Sequence, residues 1–411
     1  MTGPGRPLGA LAEPQFRLLW IGQTASAAGD ALIPVAIAFA VLGIGGSAGD
    51  LGIVFAAFTV AHVALVLAGG VWADRLPRQL VMVACDIARG VGEVVLAILL
   101  MSGTAQIWHI AVGAAVIGAA SAFFLPASSG LLPQTVSPGR LQQANALMGL
   151  SRRATGIFGP PISGLVIVTS GIGAIFLIDA ATFAISAVSL LFLRPVPGEE
   201  RPQQQPFFAE LAAGWQEVVS RRWIVTALGA FAISNLASSP FFILGAVIAD
   251  QKLGGAAAWG IILTGSGIGG LVGGLLALRL RPKRPLLTGF LLTNLTALPL
   301  VALVGPLPTL LIAGCSLLSV ASIQLANTWW YTMLQQHVPE HARSRVSSYD
   351  WLVSLVFQPL GYVLAGPLAA EFGLTWTLLG AAALVLIANI GILAVRAVRD
   401  VRWVEDTAGV G

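Results

Sequence analysis

The sequence predicts an all-α membrane protein in which twelve transmembrane helices form two six-helix bundles. Three observations carry that prediction. Twelve long apolar stretches alternate with short charged connectors, and each is long enough for a helix to cross ~30 Å of hydrocarbon at ~1.5 Å per residue. With 411 residues, 56% hydrophobic and only 10% charged, the chain has more apolar surface than one water-soluble core hides, so lipid must solvate the rest. The longest connector follows the sixth stretch and divides the chain six plus six. Backbone groups in hydrocarbon have no water to bond, so spans must be helices or a closed barrel. Uninterrupted apolar runs, without the alternation of barrel strands, exclude the barrel.

In chain order the first bundle holds spans near 17–42, 51–72, 80–101, 107–127, 143–168 and 172–193. The second holds spans near 223–249, 259–278, 286–304, 308–331, 346–368 and 374–395. These give an N-terminal bundle over 1–194, a cytoplasmic linker over 195–222 and a C-terminal bundle over 223–411. The linker is rich in Pro, Gln and charge, and Phe207–Val219 within it reads as an amphipathic interfacial helix. Thr2 to Pro14 is Gly/Pro-rich and the stretch after it is too long for a signal-peptide core, so the first span is expected to stay as helix one. Forty-eight Gly and 23 Pro read as packing, because small residues let membrane helices approach closely.

The halves also resemble each other at an offset of a little over two hundred residues. Arg17 corresponds to Arg222, Asp30 to Asn235, Val136 to Val338, Gly164 to Gly366 and Gly171 to Gly373. A duplicated six-helix unit explains this, and such repeats place the substrate site at their interface near the midplane.

The formal charge of +4 is explained by where the cations sit. Taking the spans in order, Arg75, Arg78, Arg140, Arg194, Arg222, Lys283, Arg284, Arg343 and Arg396 fall on the side holding both termini, and only Lys252 falls clearly on the other. The positive-inside rule then puts both termini in the cytoplasm of a bacterial cytoplasmic membrane, and the Ala-, Gly- and Arg-rich composition suggests a GC-rich source. The basic balance is topology, which argues against nucleic acid as a partner. Cys85 and Cys315 lie alone in separate spans, with no metal spacing and no disulfide framework, so no cofactor or metal is expected.

The connector between spans two and three reads Gly69-Gly70-Val71-Trp72-Ala73-Asp74-Arg75-Leu76-Pro77-Arg78-Gln79. It resembles the G-x-x-x-D-R-x-G-R-[RK] loop of the major facilitator superfamily, with Gly70, Asp74, Arg75 and Arg78 in register. Pro77 stands where the family has Gly, and Gln79 where it has a basic residue. The resemblance implies a conformational gate: the Asp faces a helix end, the Arg pairs with nearby acids, and together they bias one conformer over another. A solvated inside turn is the plainer reading. Span five carries Gly156-Ile157-Phe158-Gly159-Pro160-Pro161-Ile162-Ser163-Gly164, similar to the G-P-x-x-G-G antiporter motif of superfamily exporters, with Ser163 replacing one Gly. Gly156, Gly159, Pro160 and Gly164 would let this helix pack tightly and pivot. The stretch from Leu132 through Arg194 is similar to the drug-exporter branch that also contains macrolide and siderophore exporters.

Charges far from the interfaces are costly, and Asp30, Asp86, Arg89, Glu93, Arg152, Arg153, Asp179 and Asp350 need explaining. Asp30 lies thirteen positions beyond Arg17, ~20 Å along the first span, within reach of a central site. It reads as a proton site or as the structural partner of an Arg. Asp86 and Arg89 are i,i+3 neighbours and read as a local pair. Glu93, one turn further, is a second proton-site candidate. One of Arg152 and Arg153 is expected to pair with Asp30 or with a substrate anion while the other snorkels.

Gln23, Asn235, Asn294, Gln324, Asn327, Trp329, Trp330, Tyr331, Tyr349 and Trp351 would line a pocket for bulky amphiphiles. Trp329, Trp330 and Tyr331 also fit an aromatic belt at the headgroup level. Three soluble-enzyme patterns fail on context. Gly265-x-Gly267-x-x-Gly270 lies inside an apolar span and means helix packing. His337-Val338-Pro339-Glu340-His341 matches a zinc pattern that needs a continuous helix, which Pro339 interrupts. His62 is alone in its span, where packing explains it. The expectation is a non-enzymatic monomer in the bilayer that exports small amphipathic molecules by proton antiport with alternating access. An importer or uniporter of the same fold is the alternative, as is a siderophore or metabolite exporter instead of a drug exporter.

Overall fold

A computed structural model describes residues 9–194 and 215–404, with the side chains of 67–75, 340, 341, 344, 345, 348, 354 and 355 excepted. The described chain is helical throughout: α1 Pro14–Asp30, α2 Ile33–Gly43, α3 Ala48–Arg75, α4 Arg78–Met101, α5 Ile107–Leu131, α6 Leu141–Ser170 and α7 Ile172–Leu191. After the linker come α8 Arg222–Ser238, α9 Pro240–Ile248, α10 Ala256–Ala277, α11 Pro285–Thr293, α12 Ala297–Ala302, α13 Thr309–His337 and α14 Glu340–Gly391. Among the described residues nine helical segments are long and apolar enough to cross a membrane. Two more, α4 and α6, have the length but carry intramembrane charge, and α14 breaks at Gly373 into two passes. This is the twelve-pass architecture the sequence predicts. Most of the expected Phe207–Val219 helix lies outside the described residues.

Two compact units are present, residues 1–201 with 249–264, and residues 202–248 with 265–411. The start of α10 therefore clusters with the first unit.

In the first unit the opening pass is broken between α1 and α2. Pro34 has no N–H to give the Asp30 carbonyl, so the helix cannot run through unaltered. Gly159 of α6 packs against the break so closely that a Cβ there would overlap Ala31, and the buried Ser163 hydroxyl donates to the Leu32 carbonyl at 2.8 Å. Ser163, the departure from the exporter motif, thus bonds the kinked backbone. Pro160 and Gly164 lie against the start of α10, where a Cβ on Gly164 would meet the Ala256 and Ala257 backbone and one on Gly260 the Pro160 carbonyl. Gly156, by contrast, faces open space.

The second unit repeats the device. Its first pass breaks at Ser239, ahead of Pro240, and the Ser239 hydroxyl donates to the carbonyls of Asn235 at 2.8 Å and Gln358 at 3.2 Å. Gly361 packs against this break as Gly159 does against the other. Gly171 and Gly373 stand at the same turn in each half, with φ of 83° and 82°, a left-handed backbone that Gly adopts without a Cβ penalty. The apolar faces pack internally around Phe16, Met82 and Leu131 in one unit and around Ile224, Met333 and Trp330 in the other. Gly265, Gly269 and Gly273 bring α10 onto the α13 backbone at Ala313, Leu317 and Ala321, so Gly265, the first glycine of the nucleotide-like pattern, serves helix packing.

Candidate functional site

The first candidate site lies inside the first unit, where α1, α4 and α7 bring five charged groups together. Small residues make room for them: a Cβ at Gly22 would press on Ser186 and Ser189 of α7, and one at Gly29 would collide with the Asp179 carboxylate. Arg89, on α4, stands at the centre with a side chain only 3% exposed. Its Nη2 donates to Asp86 Oδ1 at 2.7 Å, and its Nη1 lies 3.6 Å from Asp30 Oδ2. The guanidinium sits between two aromatic faces, 4.4 Å from the Phe124 centroid and 4.3 Å from that of Phe183. Those rings stabilise the cation and exclude water from one side of the pair.

Asp30 is the last residue of α1, at the helix break, and its side chain is 44% exposed where that of Asp86 is enclosed. Behind Arg89 lie two further acids. Glu93, one turn along α4, is fully buried, and neither carboxyl oxygen has a hydrogen-bond partner among the described residues. Asp179 is fully buried as well; its Oδ1 accepts from Thr182 Oγ1 at 3.1 Å and its Oδ2 has no partner among the described residues. One guanidinium pairs with two of the four carboxyl groups and lies within electrostatic reach of the other two, and these five groups are neutral together only when three of the acids hold a proton. Burying unpaired carboxylates is costly, so proton occupancy and structure are linked here.

The ion pair with Asp30 falls to Arg89, where the sequence pointed to Arg152 or Arg153. Both of these are exposed on α6 and form no ion pair among the described residues, although Arg152 lies within electrostatic reach of Asp30. The reason is helix adjacency, which linear spacing does not encode: α4 packs beside α7, and α7 beside α1.

Of the loop motif, Gly70, Asp74 and Arg75 have side chains outside the described set. Arg78 donates from Nη1 to the Gly130 carbonyl at 2.8 Å, near the C-terminus of α5. Gln79, where the family has a basic residue, donates to the carbonyls of Leu190 and Leu193 at 2.5 and 2.9 Å, capping α7. Both residues satisfy carbonyls that a helix end leaves free.

The second candidate site lies inside the second unit, a cavity of ≈ 250 Å³. Asn235, Asn327, Trp330, Tyr331 and Trp351, five of the residues expected to line a pocket, reach it, joined by Asp350 and Asn389. The other expected residues are engaged elsewhere: Gln23 accepts from Ser128 at 3.2 Å, Asn294 bonds its own helix, Trp329 donates to the Leu280 carbonyl at 3.1 Å and Tyr349 packs on Trp215. Gln324 packs at Gly273. The headgroup-belt reading of Trp329 and Trp330 is corrected: α13 continues to His337, both indoles are 2% exposed, and Trp330 packs edge-on against Trp223 and Phe231. His62 bonds the Gly118 carbonyl at 3.2 Å and stacks on Phe58, a packing role. α13 ends at His337 and Pro339 caps the next helix, so the zinc-like pattern is split between two helices.

The family model of the Major Facilitator Superfamily matches residues 19–356. The chain belongs to the Major Facilitator Superfamily. As a member of that superfamily it is an integral membrane transporter of small molecules and not an enzyme. It is 28% identical over 397 residues to the multidrug efflux pump Tap of Mycolicibacterium fortuitum, covering 93% of this chain and 95% of that relative. It is 25% identical over 365 residues to the enterobactin exporter EntS of Escherichia coli O1:K1 / APEC, covering 87% and 86%. The superfamily fold is also that of a bacterial homologue of the human lysosomal transporter Spinster, with a TM-score of 0.73, 15% identity, and 98% of this chain and 100% of that one covered.

Proposed function

We propose that this transporter exports small amphipathic molecules from the cytoplasm in exchange for protons, working as a monomer by alternating access. In this reading 1–194 and 223–411 are the two moving bundles, 195–222 is the linker, and both termini lie in the cytoplasm of a bacterial cytoplasmic membrane. The observation that carries it is the cluster of four carboxyl groups around Arg89. Protonating Asp30 removes the charge that Arg89 meets at 3.6 Å, so the pair weakens and the guanidinium is left to Asp86. A substrate favouring the deprotonated state then displaces the proton through the shared equilibrium, and the reverse holds equally. Asp30 is the exchanging group because it is the exposed member, while Glu93 is a reserve proton site enclosed behind it. The Gly70–Arg78 loop serves as gate, and α6, with Gly159 and Pro160 seated on its neighbours, serves as pivot.

Likeness to a multidrug efflux pump supports the outward direction, and likeness to an enterobactin exporter supports a metabolite as an alternative cargo. The test uses inside-out vesicles and a panel of cationic, zwitterionic, neutral and anionic amphiphiles. Uptake of at least one class should collapse with a protonophore, and Asp30→Asn should remove that sensitivity. Undiminished proton coupling in Asp30→Asn would take Asp30 out of the role. Counterflow without any dependence on the gradient would turn the reading to a uniporter.

A further inference from the structure

The cavity of the second unit has a composition that the proton cycle does not use. Its volume of ≈ 250 Å³ lies just below the ~300–1,000 Å³ usual for small-molecule sites, enough for the head of an amphiphile. Its walls are of two kinds. Trp330, Tyr331 and Trp351 line it together with Asp350. Asn235 and Asn389 line it as well, and among the described residues the buried Asn389 Nδ2 has no hydrogen-bond partner. The Asp350 residue is only 4% exposed, and among the described residues no Lys, Arg or His forms an ion pair with it. Asp30 meets Arg89 at 3.6 Å, whereas Asp350 lies within hydrogen-bonding reach of the Trp330 and Tyr331 side chains.

A carboxylate that shares a cavity with indole and phenol rings, and that no cation pairs with among the described residues, is a recognition chemistry for one kind of group. A cation is drawn to both the negative faces of the rings and the carboxylate, and shedding its water is compensated only where both are present. An anion meets repulsion from the same walls, and a neutral apolar group leaves the acid unserved. The amide wall supplies donors and acceptors for a polar substituent beside the charge.

We propose that this cavity binds organic cations, namely quaternary or protonated amines carrying an apolar or aromatic body, with Asp350 as counter-ion and Trp330, Tyr331 and Trp351 as the aromatic cage. The inference rests on the reading of the chain as a transporter of amphiphiles, since it names the class of cargo, but it needs neither a direction nor a coupling ion.

The experiment is equilibrium dialysis of tritiated phenyltrimethylammonium against the full-length chain in lipid nanodiscs, with benzenesulfonate as the anion of similar size. Saturable binding to one site is expected, with no competition from benzenesulfonate. Asp350→Asn should weaken binding by on the order of tenfold or more, and Trp351→Ala by a similar factor. Asp350→Glu should recover part of the loss. Trp351 is 59% exposed, so Trp351→Ala keeps the fold and gives a reading even where Asp350→Asn does not assemble. The inference is overturned if both variants bind within twofold of the parent, if benzenesulfonate competes equally, or if no saturable binding occurs at millimolar cation. The measurement involves no gradient and no transport, so failure of proton-driven export in vesicles would sink the proposed function and leave this result standing.

Discussion

Replacing Arg89 by Ala probes the buried cluster most severely. The guanidinium is 3% exposed, bonds Asp86 at 2.7 Å, lies 3.6 Å from Asp30 and is enclosed by Phe124 and Phe183. Breaking a buried ion pair by deleting one partner costs ~3–5 kcal/mol, because the remaining charge is stranded. Each desolvated ring contact adds about 1 kcal/mol, although part of that overlaps with the pair itself. A loss of about 4–6 kcal/mol is expected, a large share of the ~5–15 kcal/mol that holds a domain folded. By contrast Arg140, paired with Glu13 at 3.3 Å but 40% exposed, should lose less than about 1 kcal/mol on the same change. Reversible denaturation in mixed micelles, read by tryptophan fluorescence, measures both. Adding Asp86→Asn and Asp30→Asn to Arg89→Met should recover part of the loss, since it removes the two carboxylates that the guanidinium had paired. If Arg89→Ala stays within about 1 kcal/mol of the parent, the cluster is not an enclosed ionic unit and the reasoning fails.

Three further outcomes follow from the same geometry. Ser163→Ala should cost about 1 kcal/mol in the same denaturation assay, because it removes the 2.8 Å bond to the Leu32 carbonyl at the helix break. Within one motif, Gly159→Ala should destabilise by ~1–3 kcal/mol through its clash with Ala31, while Gly156→Ala, in open space, should be neutral or stabilise by up to about 1 kcal/mol. At the edge of the first span, slight burial works to raise the Glu13 pKa, but bonds from the Ser137 N–H and hydroxyl, with Arg140 nearby, outweigh it and hold the carboxyl below its ordinary range. Its folded pKa is depressed, so its stabilisation is present above the unfolded value near ~4.3 and is lost as pH falls through the folded one. An acid titration of stability should therefore show a weaker fall below about pH 4 in Glu13→Gln than in the parent.

The passes were legible because hydrocarbon thickness sets their length, and even the charged spans α4 and α6 stood out as helices bounded by connectors. The repeat was legible too, down to the paired turns at Gly171 and Gly373, since a left-handed backbone leaves a glycine at the same place in each half. Asp30 was found by its register alone. Its partner was not, because choosing Arg89 over Arg152 requires knowing which helices touch. Asp179 announced itself only as a costly charge, and its place against Gly29 depends on the close approach of α1 and α7. Trp330 was misread because α13 runs six residues further than the apolar stretch suggested, which moves the indole from the expected headgroup level into the packed interior. Asp350 and Asn389 meet across a cavity although thirty-nine positions separate them, a pairing that depends on the turn at Gly373.

The central claim is that a buried carboxyl cluster exchanges protons for cargo, and counting both in one vesicle tests it directly. Proteoliposomes holding the chain, tritiated phenyltrimethylammonium and a pH-sensitive dye in the lumen are diluted into acidic medium. The account predicts that label leaves faster than without the gradient, that the lumen acidifies in proportion, and that Asp30→Asn abolishes both. Label leaving at the same rate with and without the gradient, in a lumen whose pH does not change, would contradict it.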